Sequence, residues 1–259
     1  MKRNIALITG ATGGIGQAFT RELSARGFDL VITARRVERL QEIKQKMESQ
    51  FFNTVYYVQS DLSQVDGVDT ILAEIEKNQL TIDILINNAG YGYQCDFVSK
   101  SWVEWERLIH VNVISLVKLT HGILPGMIER KKGKILNIAS AAAFQPIPWF
   151  TIYAATKAFI RFFSVGLSME VKKQNIKVSC LCPGVIYSEF VESYGLDVSH
   201  IPDFLWMNPE RAVNKALNAL EKNKFQYIPG LFFKTIPFVE RFAPENLVTW
   251  ISGRLLKPE

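Results

Sequence analysis

The chain has 259 residues, 48% hydrophobic and 21% charged, which suits one sizeable core and argues against disorder. Its formal net charge of +5 is scattered, densest in ERKKGK at 129–134, and no basic face alternates with aromatics as nucleic-acid binding would require. Three cysteines (Cys95, Cys180, Cys182) and three separated histidines (His110, His121, His200) form neither a disulfide framework nor a metal-ligand cluster, so a reducing compartment, the cytoplasm, and no metal are expected.

MKRNIALITG opens the chain with an apolar run too short for a signal peptide, and it meets a glycine turn. No stretch of about twenty residues is free of charge, so no spanning helix is expected. Short β-branched runs at 4–9, 29–34, 54–59, 82–87, 133–140 and 176–181 alternate with helix-length segments at 14–26, 37–50, 63–78, 102–130 and 152–173. Most of the short runs are apolar at every position, as strands covered on both faces are. The alternation predicts an α/β fold, a Rossmann-type doubly wound parallel sheet in a single domain, 1–259. Residues 185–259 form its substrate loop and C-terminal helical extension. Cys180 and Cys182 fall on one face of the sixth strand and read as buried thiols.

The first strand runs into LITGATGGIGQAF. Gly10, Gly14 and Gly16 allow a tight turn and close approach of a phosphate to the backbone, with a helix N-terminus behind them. Thr9 and Thr12 add hydroxyl donors. The spacing is TGxxxGxG and differs from the commonest dinucleotide fingerprint, GxGxxG. At the end of the second strand, VITARR places Ala34, Arg35 and Arg36 where an acid would bind a free ribose. Two guanidiniums and no carboxylate suit the 2′-phosphate of NADP. Asp61, in QSDLS, either caps the next helix or accepts a hydrogen bond from adenine. NNAG at 87–90 either stabilises the sheet centre or lines the cofactor, at the carboxyl edge where ligands bind.

Farther along stand the Asn of HVNV (Asn112), the Ser of NIAS (Ser140), YAATK at 153–157 and PG at 183–184. With TGATGGIG and NNAG before them, over at least residues 4–190, this ordered set resembles the short-chain dehydrogenases/reductases. The resemblance implies Tyr153 as general acid/base, Lys157 as its activator, Ser140 as the hydroxyl that positions a carbonyl and Asn112 as organiser of a proton-relay water. It also implies cofactor contacts from Gly10, Gly14, Gly16, Asp61, Asn88, Gly90 and the segment Pro183, Gly184, Val185, with Ile15, Leu62 and Ala89 beside them. Some relatives that prefer NADP carry a basic residue where this chain has Gly13, so selectivity would rest on Arg35 with Arg36 in support. Homodimers or homotetramers, often built through the 102–130 and 152–173 helices, are a further implication.

Elementary chemistry agrees with those roles. Residues 153 and 157 lie one turn apart on a helix face. An ammonium beside a phenol favours the phenolate, so Lys157 is expected to lower the Tyr153 pKa toward neutrality. The substrate end reads SAAAFQPIPWF at 140–150, then Tyr187, Phe190, Tyr194, Phe204 and Trp206. This wall is apolar and without an evident clamp for a carboxylate, which points to a hydrophobic ketone, aldehyde or alcohol: steroid-like, long-chain or aromatic. Reduction of a 3-oxoacyl thioester and a non-catalytic NADP(H) sensor are the alternatives. The apolar tail at 231–256, expected to be broken at Pro237 and Pro244, reads as an oligomer contact, a lid or a face on a membrane. Of these the membrane is the least favoured.

Overall fold

The computed structural model describes residues 3–186, 202–255 and 257. The strands are β1 (Ile5–Thr9), β2 (Asp29–Ala34), β3 (Val55–Gln59), β4 (Ile82–Asn87), β5 (Gly133–Ile138), β6 (Ile176–Leu181) and the two-residue β7 (Gln226–Tyr227). The helices are α1 (Gly14–Ala25), α2 (Val37–Phe51), α3 (Gly67–Lys77), α4 (Trp102–Ile109), α5 (Ser115–Glu129), α6 (Thr151–Glu170), α7 (Pro209–Glu221), α8 (Leu231–Phe242) and α9 (Glu245–Leu255).

All seven strands are parallel, in the order β3-β2-β1-β4-β5-β6-β7. The order reverses direction between β1 and β4, and such a switch point opens a crevice at the carboxyl ends of the strands. Alternate residues of each strand serve opposite cores. Ala6 and Ile8 of β1 pack with Phe19 and Leu23 of α1, Leu40 of α2, and Val213 and Leu217 of α7. Ile5 and Leu7 pack with Ile71 of α3 and with Leu119 and Met127 of α5. Both faces being covered explains why β1 is buried at every position and why its sequence shows no polar alternation.

Two buried amides bind the centre of the sheet to its helices. Asn87 Nδ2 donates to Thr120 Oγ1 of α5 at 3.0 Å and to Asn137 Oδ1 of β5 at 2.8 Å. Asn137 Nδ2 then donates to Ser164 Oγ of α6 at 2.9 Å. Each of these polar groups is buried and would be costly if left unpaired. The ladder therefore fixes α5 and α6 against the strands that carry the site.

Several boundaries differ from expectation for identifiable reasons. β5 stops at Ile138, because the chain leaves the sheet to present Ser140. α3 starts at Gly67, because Ser63 and Gln64 first turn back on Asp61. The 102–130 segment is a 28-residue helix, long and apolar enough by composition to cross a membrane. Its Leu119, Ile123 and Met127 are nonetheless packed in the core, and its five residues His110–Ile114 wind as a π-helix. Pro237 does not break the tail: it lies inside α8. Pro244 does, and its carbonyl accepts from Leu247 N and Val248 N at the start of α9.

Candidate active site

A cavity of about 1460 Å³ lies along the carboxyl edge of the sheet, from the glycine turn after β1 to the C-terminal helices. At its nucleotide end the chain leaves β1 through Gly10, whose φ of +64° disfavours other residues and where an added Cβ would meet Ala89 Cα at 3.0 Å. A side chain at Gly16 would collide with the Gly10 carbonyl oxygen, so the first turn of α1 presses against the loop. Asn88 clamps this loop from across the switch point, its Nδ2 donating to Thr9 O at 2.9 Å and to Gly10 O at 3.0 Å. NNAG thus divides its two tasks: Asn87 braces the sheet and Asn88 shapes the phosphate turn.

Every residue expected at the cofactor end lines the cavity except one. Thr9 is buried, its hydroxyl accepting from Asn88 N and Ala89 N at 3.0 Å each, so it braces the turn and offers nothing to a phosphate. Asp61 is no helix cap, since α3 is preceded by Asp66. Burial raises its pKa, but the Ser63 N–H and hydroxyl and the nearby Arg35 guanidinium outweigh this and hold it below the ordinary value. Such an anion is an acceptor facing the cavity.

Three observations fit this end to a dinucleotide carrying a 2′-phosphate. Around Gly13 nothing but the Gly10 oxygen, at 3.7 Å, approaches the place of a Cβ, leaving the turn open to a ligand. The Thr33 hydroxyl at the end of β2 is buried, lines the cavity and, among the described residues, has no hydrogen-bond partner. Arg35 and Arg36 border the same end, with no carboxylate at Ala34.

Midway along, Ser140, Tyr153 and Lys157 converge on the cavity wall. Ser140 Oγ accepts from Ala142 N at 3.1 Å, capping a 3-10 turn over Ala141–Phe144, and it hydrogen-bonds the Tyr153 phenol. Lys157 Nζ donates to Ile138 O at 2.9 Å and lies 5.5 Å from the centre of the Tyr153 ring. Burial pushes the Tyr153 pKa up to about 12 against the opposing Ser140 hydrogen bond. It also pushes Lys157 down to about 8, opposed by the Cys180 and Cys182 thiols. The expectation that Lys157 draws the phenol toward neutrality is therefore overturned. Desolvation disfavours the charged form of each group, and the influence opposing it at the phenol is Ser140 rather than Lys157.

Asn112 is fully buried and lies behind the wall. Its Oδ1 accepts from Tyr91 N at 3.0 Å, and its Nδ2 donates to Tyr91 O at 2.9 Å and Thr156 Oγ1 at 3.0 Å. The π-helix turns it inward, and Gly90 lies between its Oδ1 and Lys157 Nζ, with both 3.1 Å from where a Cβ would sit. Gly92, unmarked in the sequence, does similar work: a Cβ there would lie 2.5 Å from Tyr153 Cδ2.

At the substrate end, Ile147 and Phe150 from the expected 140–150 loop are joined by residues no motif announces. They are Arg107 of α4, Phe232, Ile236 and Glu240 of α8, and Val248 and Ile251 of α9. Burial raises the Glu240 pKa to about 7, offset in part by Arg161. Trp206 is not on the wall, and Tyr187, Phe190, Tyr194 and the Phe204 side chain lie outside the described residues. The tail is anchored over this end by Trp149 Nε1 to Gly253 O at 3.1 Å, Ser252 Oγ to Pro146 O at 3.2 Å and the Phe233 ring against Gly184. Among the described residues no group of side chains could hold a metal, and Cys180 and Cys182 are buried free thiols with sulfurs 3.7 Å apart.

Comparison with known proteins agrees with this layout. The family model of the short chain dehydrogenases matches residues 4–198. A very-long-chain 3-oxoacyl-CoA reductase-B of Danio rerio is 34% identical over 259 residues, spanning 97% of this chain and 75% of its own. An NADP-dependent 3-hydroxy acid dehydrogenase of Escherichia coli (strain K12) is 38% identical over 183 residues, 70% of this chain and 72% of its own. A solved short-chain dehydrogenase from Sphingobium yanoikuyae, in complex with NADPH, superposes with a TM-score of 0.84 at 31% identity, covering 95% of both chains.

Proposed function

The chain belongs to the short chain dehydrogenase family of oxidoreductases, and from that premise we propose that it reduces an apolar carbonyl compound to its alcohol with NADPH, Tyr153 being the proton donor. The convergence of Ser140, Tyr153 and Lys157 on one cavity wall carries the proposal. Arg35 and Arg36 would hold the 2′-phosphate, the Gly10–Gly16 turn and the α1 N-terminus the diphosphate, and Asp61 the adenine edge. Bound there, NADPH supplies the hydride that the carbonyl carbon accepts.

The protein's own residues manage the oxygen and the proton. The Ser140 hydroxyl hydrogen-bonds the carbonyl oxygen, orienting it toward the phenol. Tyr153 gives its proton to that oxygen as negative charge develops there. The Lys157 ammonium then steadies the phenolate, an anion that burial would otherwise disfavour. Asn112, bonded to both the backbone N–H and the carbonyl of Tyr91 and to the Thr156 hydroxyl, keeps the floor beneath this pair in place. The apolar walls from Ile147, Phe150, Ile236 and Val248 support a hydrophobic body on the substrate.

A second reading, reduction of a 3-oxoacyl thioester, is favoured by the name of the Danio rerio relative, a very-long-chain 3-oxoacyl-CoA reductase. Oxidation of NADPH and NADH followed over a panel of hydrophobic ketones and 3-oxoacyl thioesters tests both. Consumption of NADPH with either class supports a reductase and identifies the substrate; no consumption with any carbonyl leaves the non-catalytic sensor.

A further inference from the structure

We propose that helices α8 and α9 form a docking surface for an anionic lipid bilayer, with the mouth of the cavity set in it. The two helices are apolar on both sides. Inward, Phe233 joins the core with Phe144 and Cys182. Outward, Leu231, Phe238 and Phe242 recur on one stripe of α8 and are 84%, 68% and 70% exposed, while Trp250 of α9 is 56% exposed. A surface helix ordinarily turns a polar face to water, and a contiguous exposed apolar face marks an interaction site.

The charges around this face choose the occupant. Lys234, Arg241 and Arg254 are exposed beside it, and among the described residues none of them is in an ion pair. The Arg254 guanidinium lies 4.5 Å from the centre of the Trp250 ring, an aromatic–cation pair suited to the headgroup level. Among the described acids of α8 and α9, Glu240 faces the cavity and Glu245 is exposed. Pairing with a second copy about a twofold axis would bring like cations together. Anionic headgroups would neutralise them while the aromatics enter the acyl boundary. Phe232, Val239 and Ile251 are exposed on this side and also line the cavity, so the bilayer would cover its mouth. The corollary, that an apolar carbonyl enters from the lipid phase, rests on the proposed function; the docking does not.

The full chain is sedimented with phosphatidylcholine vesicles and with mixed phosphatidylserine–phosphatidylcholine vesicles, without cofactor or substrate. Binding to the mixed vesicles is expected, weakening with salt, together with a blue shift of tryptophan emission that Trp250→Phe removes. Phe238→Ser with Phe242→Ser, and separately Lys234→Glu with Arg241→Glu, should each lower the bound fraction about tenfold or more. Neither pair touches the cavity wall, so reduction of a water-soluble ketone and the melting temperature should stay at parental values. Absence of binding to either vesicle, binding unmoved by both double variants, or a dimer that dissociates in Phe238→Ser/Phe242→Ser would each overturn the proposal. Because no turnover is measured, a failed redox reading leaves this result intact.

Discussion

The two ends of the cavity are built in opposite ways. The nucleotide end is made of residues within a few positions of strand termini: Gly10 after β1, Arg35 after β2, Asp61 after β3 and Asn88 after β4. Each is held by short hydrogen bonds: Asn88 donates to Thr9 and Gly10, Arg35 O accepts from Gln59 of β3, and Asp61 accepts from Ser63 in its own loop. The substrate end is assembled from distant pieces, the 140–150 loop and the helices α8 and α9, joined by a few contacts such as Trp149 to Gly253. A rigid frame accepts one cofactor, while a wall closed by a separate tail can change its ligand without disturbing the sheet. Substitutions at the two ends should therefore fail differently.

The largest expected effect is at their junction. Lys157→Met should reduce turnover about a thousandfold, in the range of general acid–base contributions, while stabilising the fold. At neutral pH the buried ammonium, its pKa held at about 8, costs about 3 kcal/mol against the ordinary lysine value. Losing the bond to Ile138 O returns only about 1 kcal/mol of that. The sign follows from linkage: the unfolded chain binds the proton more tightly, so parental stability should rise as pH climbs from about 8 to about 10. Thermal melts of the variant should start higher and lack this rise. A lower, parallel melting curve would mean that the lysine is a net structural support.

Next is Gly92→Ala, which forces the Tyr153 ring aside. A misplacement near 1 Å costs about a hundredfold in turnover, and NADPH affinity, set at the other end, should not change. If affinity falls instead, the two ends are not separable as described. Arg35→Ala should weaken NADPH about ten- to a hundredfold, the worth of a charge-assisted bond, and NADH far less, as titration by nucleotide fluorescence would register. Equal losses would remove the 2′-phosphate from Arg35.

The smallest effect belongs to Glu240. With its folded pKa raised to about 7, the folded chain binds this proton more tightly than the unfolded one. The stability it contributes is present below the ordinary carboxylate range and is lost as pH rises toward about 7. Glu240→Gln should flatten melting temperature across pH 5 to 7 and leave NADPH binding alone. An unchanged slope would assign that dependence to another group.

The contrast also explains what could be read from sequence. Parallel strands buried on both faces leave unbroken apolar runs, so β1, β2, β4 and β6 were legible nearly to the residue. The placement of the glycine turn and of Tyr153 and Lys157 on one cavity was legible because their spacing is local. The inward turn of Asn112 was not, because a π-helix inserts one residue per turn with no compositional mark. Thr9 looked like a ligand, since sequence cannot show that the β4 loop uses its hydroxyl. Gly92 stands in an ordinary YGYQ, and only the packed Tyr153 ring reveals its need for no side chain. Pro237 looked like a breaker, yet α8 keeps its path because Phe233 and Ile236 are packed beneath it. The substrate wall was hidden for the same reason: which apolar tail residues face inward depends on a docking that no local pattern encodes.

The proposal that Tyr153 is the proton donor is tested most directly by single-turnover NADPH oxidation with Tyr153→Phe, using whichever carbonyl the parent reduces. The expected result is parental NADPH affinity and melting behaviour with reduction slowed about a thousandfold or more. Reduction at the parental rate would contradict it.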